Sequence, residues 1–103
     1  MSLFFQRRGD SWNAKGPYEH FRWYSPSDRK IPLRAGTHTV TIPLGGDWIS
    51  VYGKPSSQNP EAFRAALAQA GRVGFTFGSD SGRGHGVYAT GRASFTLLDF
   101  EIE

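Results

Sequence analysis

The chain has 103 residues, no cysteine, a formal net charge of +3 and an aromatic content of 15%. This length indicates one domain, and the lack of thiols excludes disulfides, thiolate metal sites and cysteine nucleophiles. No run approaches the ~18–20 apolar residues that a membrane-spanning helix needs, and the first residues lack the charged-then-apolar order of a signal peptide. The basic excess is mild and acidic residues are interspersed, so nucleic acid is not a favoured partner.

Short strands separated by turns are predicted through the first half of the chain. In one of them Arg22 and Tyr24 share one face while Trp23 lies on the other, the period-two pattern of a half-buried strand. The clearest strand pattern places Val40 and Ile42 on one face, with threonines on the other. The predicted strands are residues 3–8, 18–25, 37–44 and, more weakly, 48–52, with an edge segment at 31–33.

A helix is predicted for residues 59–71. Asn59 is a good N-cap, Pro60 occupies the first helical position, and Gly71 is predicted to close the C-terminus. One narrow apolar stripe consists of Phe63, Ala66, Leu67 and Ala70. A helix this short is not stable alone, so it is expected to pack on the sheet.

The rest of the chain is again rich in strand patterns. Residues 73–77 are a predicted strand, and residues 79–91 a glycine-rich loop. A last strand is predicted at 93–102, where a phase slip between Leu97 and Leu98 indicates a β-bulge. The pattern predicts an all-β fold, an antiparallel β-sandwich or jelly roll with one short helix, in a single domain over residues 1–103.

Motifs for catalysis are lacking. The glycine-rich loop has no Gly-Lys-Ser/Thr leading into a helix, and there is no Gly-x-Ser-x-Gly elbow. The histidines, His20, His38 and His85, are not at metal-ligand spacing from one another. We therefore do not expect an enzyme.

Aromatic side chains next to polar residues in loops are the strongest functional signal. Such rings stack on the C–H faces of sugars, and they also stack on the bases of single-stranded nucleic acid. The candidate ligand-binding residues are Trp12, Arg22, Tyr24, Trp48, His85 and Tyr88. For Trp23 core packing is the favoured interpretation, whereas for Trp12, inside a polar loop, binding and packing both stay open.

From Trp48 onward the sequence reads Trp-x-x-Val-x-Gly, Asn-Pro-x-x-Phe-x-x-Ala-Leu and Val-Gly-Phe-Thr-Phe-Gly. It continues with Gly-His-Gly-Val and Phe-x-Leu-x-x-Phe-x-Ile. This half of the chain resembles the C-terminal part of galactose-binding-like β-sandwich (jelly-roll) domains, which include many carbohydrate-binding modules. The resemblance implies a non-catalytic carbohydrate-binding module of a larger, extracellular or envelope-associated bacterial protein. It implies no cofactor other than a structural calcium, for which Asp99 is the matching ligand.

Domains of this type usually have more strands before the segment that corresponds to residues 18–25. The chain is therefore a compact version, a fragment of a longer parent, or a domain whose sheet is completed by partner chains. Residues 3–8 would then expose a sheet edge, which predicts a homo-oligomer that uses this strand. Two other functions stay open: a structural or assembly domain, and a single-stranded nucleic-acid binder that uses Arg7, Arg8, Arg22 and Arg29.

Overall fold

The computed structural model describes residues 1–78, 86 and 90–102, and within them the regular structure is one antiparallel sheet, one α-helix and two short 3-10 helices, Gly16–Tyr18 and Ser27–Arg29. The elements are β1 (Ser2–Arg7), β2 (Arg22–Tyr24), β3 (Ile49–Ser50), α1 (Pro60–Ala68) and β4 (Ala70–Thr76). The strand order is β3-β2-β1-β4. The prediction of an antiparallel β fold with one helix is confirmed at this level, while the described residues form one sheet and not the two of a sandwich.

The first strand lies in the middle of the sheet. Phe5 pairs with Trp23 of β2 on one side and with Val73 of β4 on the other. Because both edges of β1 are hydrogen-bonded, the prediction that residues 3–8 present an open edge to another chain is wrong. The neighbour of β1 on its second edge is β4, a strand far away in the sequence.

The hydrophobic core lies between one face of the sheet and α1. Phe63 of the helix contacts Trp23 and Phe5 edge-on, with ring centroids 5.3 and 5.6 Å apart, and its ring lies 6.2 Å from that of Trp48. Ala66 is fully buried beside these rings. Large aromatic side chains thus compensate for a small number of aliphatic ones. The core position predicted for Trp23 and the inward apolar stripe of the helix are confirmed.

Both ends of the helix differ from the prediction. Asn59 is the residue before the helix, but its side chain makes no cap; its Nδ2 donates to the carbonyl of Pro55 at 3.4 Å instead. The helix ends at Ala68, and Gly71 belongs to β4. A Cβ at position 71 would lie 2.9 Å from Cγ of Arg8, so the glycine is required by the close approach of Arg8 and not by a helix terminus.

Several predicted strands are shorter or are not formed. Residues 37–44 form no strand, although Ile42 packs against the core, while Val40 and Leu44 are exposed. Residues 31–33 and 93–102 likewise form no strand, and the predicted strands at 18–25 and 48–52 shrink to β2 and β3. These predictions were wrong in extent because β-propensity becomes a strand only where a neighbouring strand pairs with it.

Candidate functional site

A buried ion pair lies on the face of the sheet opposite α1. Arg22 and its pairing partner Gln6 alternate with Trp23 and Phe5, whose side chains face the helix, so both point to the other side. Nε of Arg22 donates to Oδ2 of Asp10 at 3.0 Å, and Gln6 Nε2 donates to the same oxygen at 2.9 Å. Nη2 of Arg22 lies 3.0 Å from this oxygen in an ion pair. The Arg22 and Asp10 side chains are only 7% and 2% exposed.

The loop after β1 brings Asp10 into this position. Gly9 adopts a φ of +79°, a left-handed conformation that glycine tolerates without strain. The turn is closed by the Asp10 amide, which donates to the carbonyl of Arg7 at 3.2 Å. Burying a charge is costly unless it is paired, and here two hydrogen bonds and the ion pair with Arg22 compensate the carboxylate. The other oxygen, Oδ1 of Asp10, is buried and has no hydrogen-bond partner among the described residues.

Trp12 covers this ion pair from the solvent side. The Arg22 guanidinium carbon lies 4.5 Å from the centroid of the Trp12 ring, within the range of a cation–π contact. Trp12 is nevertheless 67% exposed. Because one side of the ring rests on an immobilised arginine, the indole is held in place while most of its surface stays open to solvent. The site therefore offers an exposed indole, that of Trp12, which rests on the paired guanidinium of Arg22.

The other predicted ligand-binding residues do not join Trp12. Trp48 is 1% exposed in the core, where its Nε1 donates to the carbonyl of Pro43 at 3.1 Å. Tyr24 is buried beside Phe4. Their rings are therefore not available at the surface of this structure. His85 and Tyr88 lie outside the described residues.

Arg22 keeps a role in the site, but a different one from that predicted. Its guanidinium is engaged by Asp10, and Nη2 also lies 3.4 Å from the carbonyl of Ser11. It supports Trp12 and is not free to bind a ligand. Asp10, which fixes Arg22, was missed by the sequence analysis. The available signal was a turn, Gly9-Asp10-Ser11, close in sequence to an arginine on a half-buried strand.

Asp99 lies in an exposed segment, where its Oδ1 accepts a hydrogen bond from the Phe100 amide at 3.0 Å. Across residues 1–78, 86 and 90–102, no group of three or more His, Asp or Glu side chains comes close enough together to hold a metal ion. The role of Asp99 as a calcium ligand stays a prediction.

A second carboxylate organises a loop beside the helix. Asp47 accepts hydrogen bonds from the Ser57 amide at 3.0 Å and from the hydroxyls of Ser56 and Ser57, each at 3.2 Å. The Ser57 amide in particular holds the pKa of Asp47 below its usual range, against a smaller opposing effect of burial. An open cleft of about 270 Å³ adjoins it, with Phe63 and Arg64 in its lining. Since Ser56 also accepts from the Trp48 amide at 3.0 Å, we interpret Asp47 as a structural residue.

Comparison with known protein families, with curated proteins and with solved structures gave no match. Within the described residues, no helix is long and apolar enough to cross a membrane. The geometry of the site is therefore the basis for the functional proposal.

Proposed function

We propose that the protein is a non-catalytic carbohydrate-binding module in which a sugar ring stacks on Trp12. The observation that carries the proposal is an indole that is 67% exposed and yet held from one side by the paired guanidinium of Arg22. A platform that is already ordered loses little conformational entropy when a ligand binds. Exposed Asn13 and Lys15 follow in the same loop and offer hydrogen-bonding groups for hydroxyls.

The state of the arginines favours a sugar over single-stranded nucleic acid. Nucleic-acid binders need cations that are free to follow the phosphate backbone. Arg22 is buried with Asp10, and Arg7 donates to Oε1 of Gln69 at 3.0 Å while its guanidinium carbon lies 4.6 Å from the centroid of the Phe21 ring. Two of the four arginines that would have contacted phosphate are thus engaged within the protein.

We also propose the jelly-roll fold and the bacterial location that the resemblance to galactose-binding-like domains implies. A jelly roll would require a second sheet packed on the one that the described residues form. A module of this kind would act in an extracellular or envelope-associated bacterial protein. An assembly domain remains the second candidate, and it is favoured by the large apolar side chains that residues 92–102 expose.

A glycan array followed by titration of any hit tests the carbohydrate proposal. Trp12→Ala should reduce affinity at least about tenfold, since the stacking surface is lost, and Trp12→Phe should retain part of it. Tyr52→Ala is the matched control, because Tyr52 is also an exposed aromatic residue and lies in the turn after β3, outside the loop that carries Trp12. All variants should keep wild-type thermal stability within a few degrees.

Two results would contradict the proposal. One is the absence of any glycan hit at millimolar concentration; the other is a hit whose affinity falls equally for Trp12→Ala and Tyr52→Ala. A salt series on any hit separates the two classes of ligand, since phosphate binding weakens steeply with salt and neutral sugar binding does not.

A further inference from the structure

Residues 92–102, here called the C-terminal segment, contact the end of β4 and the residue after it through aromatic rings. Phe95 packs edge-on against Phe75 and Phe77, with centroids 5.8 and 5.6 Å apart, and Phe100 packs on Phe75 at 6.3 Å. The aliphatic side chains between and beyond these rings face solvent. Leu98 is 73% and Ile102 71% exposed, and Leu97 is more than half exposed. The segment is attached to the domain on one side and leaves an apolar strip on the other.

The backbone of the C-terminal segment has no backbone partner among the described residues. It forms no strand, and its one recorded backbone hydrogen bond is the local one from the Phe100 amide to Oδ1 of Asp99. Its sequence, with Phe95, Thr96 and Leu97 in succession, is nevertheless typical of a strand. A segment with strand propensity, no strand partner among the described residues and exposed apolar side chains is suited to pair with another extended chain.

The charges of the C-terminal segment indicate which extended chain it would pair with. Arg92 stands at one end, whereas Asp99 and Glu101 stand at the other, and all three side chains are exposed. When two copies of the segment run antiparallel, the arginine of each copy lies near the carboxylates of the other. A parallel arrangement would bring like charges together, which is unfavourable. The segment is therefore complementary in charge to itself in the antiparallel direction.

We propose that the C-terminal segment is a dimerisation surface, and that its occupant is the same segment of a second copy in antiparallel orientation. The contact is isologous, so each residue that contributes does so twice. It brings together Leu97, Leu98 and Ile102 from both copies and leaves Trp12 open, since Trp12 lies on the β1–β2 loop. These three apolar side chains per copy are far fewer than the roughly 20–30 residues a side of a standard interface. The dimer should therefore be weak and dependent on concentration.

Sedimentation equilibrium of the full chain over a micromolar to millimolar range tests the proposal. The wild type should shift from monomer to dimer as concentration rises. Leu98→Asp places a charge at the centre of the contact and should raise the dimer dissociation constant at least about tenfold. Val40→Asp is the control, because Val40 is also an exposed aliphatic residue but lies outside the segment; it should leave the dissociation constant unchanged. Circular dichroism shows whether each variant remains folded.

A charge exchange tests the orientation. The triple variant Arg92→Glu, Asp99→Lys and Glu101→Lys reverses the charges of the two ends of the segment. This variant alone should dimerise as the wild type does, whereas a mixture of the two should form no heterodimer, because an antiparallel pair would then place like charges together. A wild type that stays monomeric at every concentration overturns the proposal, as does a dimer that Leu98→Asp leaves intact. A triple variant that pairs with the wild type in preference to itself overturns the antiparallel arrangement.

Discussion

The helix-covered face of the sheet and the C-terminal segment are built from the same kinds of side chain and have opposite fates. Phe63 is 9% exposed and contacts three other buried rings, whereas Leu98 is 73% exposed. Their hydrophobicity does not account for the difference. The helix meets a sheet whose strands are already paired, while the C-terminal segment has no pairing partner among the described residues. In a small domain, burial is decided by which elements find a neighbour.

The two regions should differ most in the loss of stability that follows when one side chain in each is truncated. Phe63→Ala removes a ring that contacts three others and should lower the free energy of unfolding by about 3–5 kcal/mol. Leu98→Ala should change it by less than about 0.5 kcal/mol, provided that the protein is dilute enough to be monomeric. Urea unfolding monitored by circular dichroism measures both. Comparable losses for the two variants would show that the C-terminal segment is packed in solution.

The buried ion pair extends the comparison to the opposite face of the sheet. Asp10→Ala should cost about 3 kcal/mol, because it leaves the buried guanidinium of Arg22 without its carboxylate. The double variant Asp10→Leu with Arg22→Met should be clearly more stable than Asp10→Ala, since it removes both charges and keeps apolar volume. Thermal and urea unfolding provide the comparison. If the double variant is no more stable than Asp10→Ala, the Asp10–Arg22 pair stabilises the fold by more than the mutual compensation of its two charges.

The smallest effect is expected at Asp47, which ties the loop next to Trp48. The hydrogen bond from the Ser57 amide lowers the pKa of Asp47 in the folded state. A carboxyl group with a lowered folded pKa stabilises the fold above the unfolded pKa of about 4, and this contribution is lost as the pH falls through the folded value. Asp47→Asn should therefore flatten the dependence of stability on pH below about 4. Ser57→Ala keeps the amide donor and should retain most of that dependence, so an equal flattening in both variants would contradict the assignment.

The local sequence pattern predicts the helix well, because a helix does not need a particular strand as its partner. The helix was predicted from the spacing of Phe63, Ala66 and Leu67, and it lies where expected because an amphipathic stripe needs only a nearby apolar surface. The strand at residues 37–44 was not formed, although its alternation is the clearest in the chain. Alternation reports a preference for a pleated, half-buried surface and says nothing about whether a neighbouring strand is present.

The candidate site was predicted in part for the same reason. A tryptophan in a polar loop pointed to exposure, and Trp12 is exposed. Trp48, which also follows a glycine-rich turn, is buried because Phe63 of the helix packs on it, a contact that sequence spacing does not reveal. The Asp10–Arg22 pair was missed because the length of the intervening loop does not determine which carboxylate reaches a buried arginine.

The central position of β1 in the sheet also affects how the protein folds during its synthesis. Its first strand is completed by β4, with Leu3 opposite Phe75, about 70 residues later in the chain. At translation rates of roughly 5–20 residues per second, Leu3 and Phe5 wait several seconds for that neighbour. During this interval β1 can pair only with β2, and the emerging chain exposes the aromatic side chains that later form the core. The sheet can therefore be completed only after β4 has left the exit tunnel.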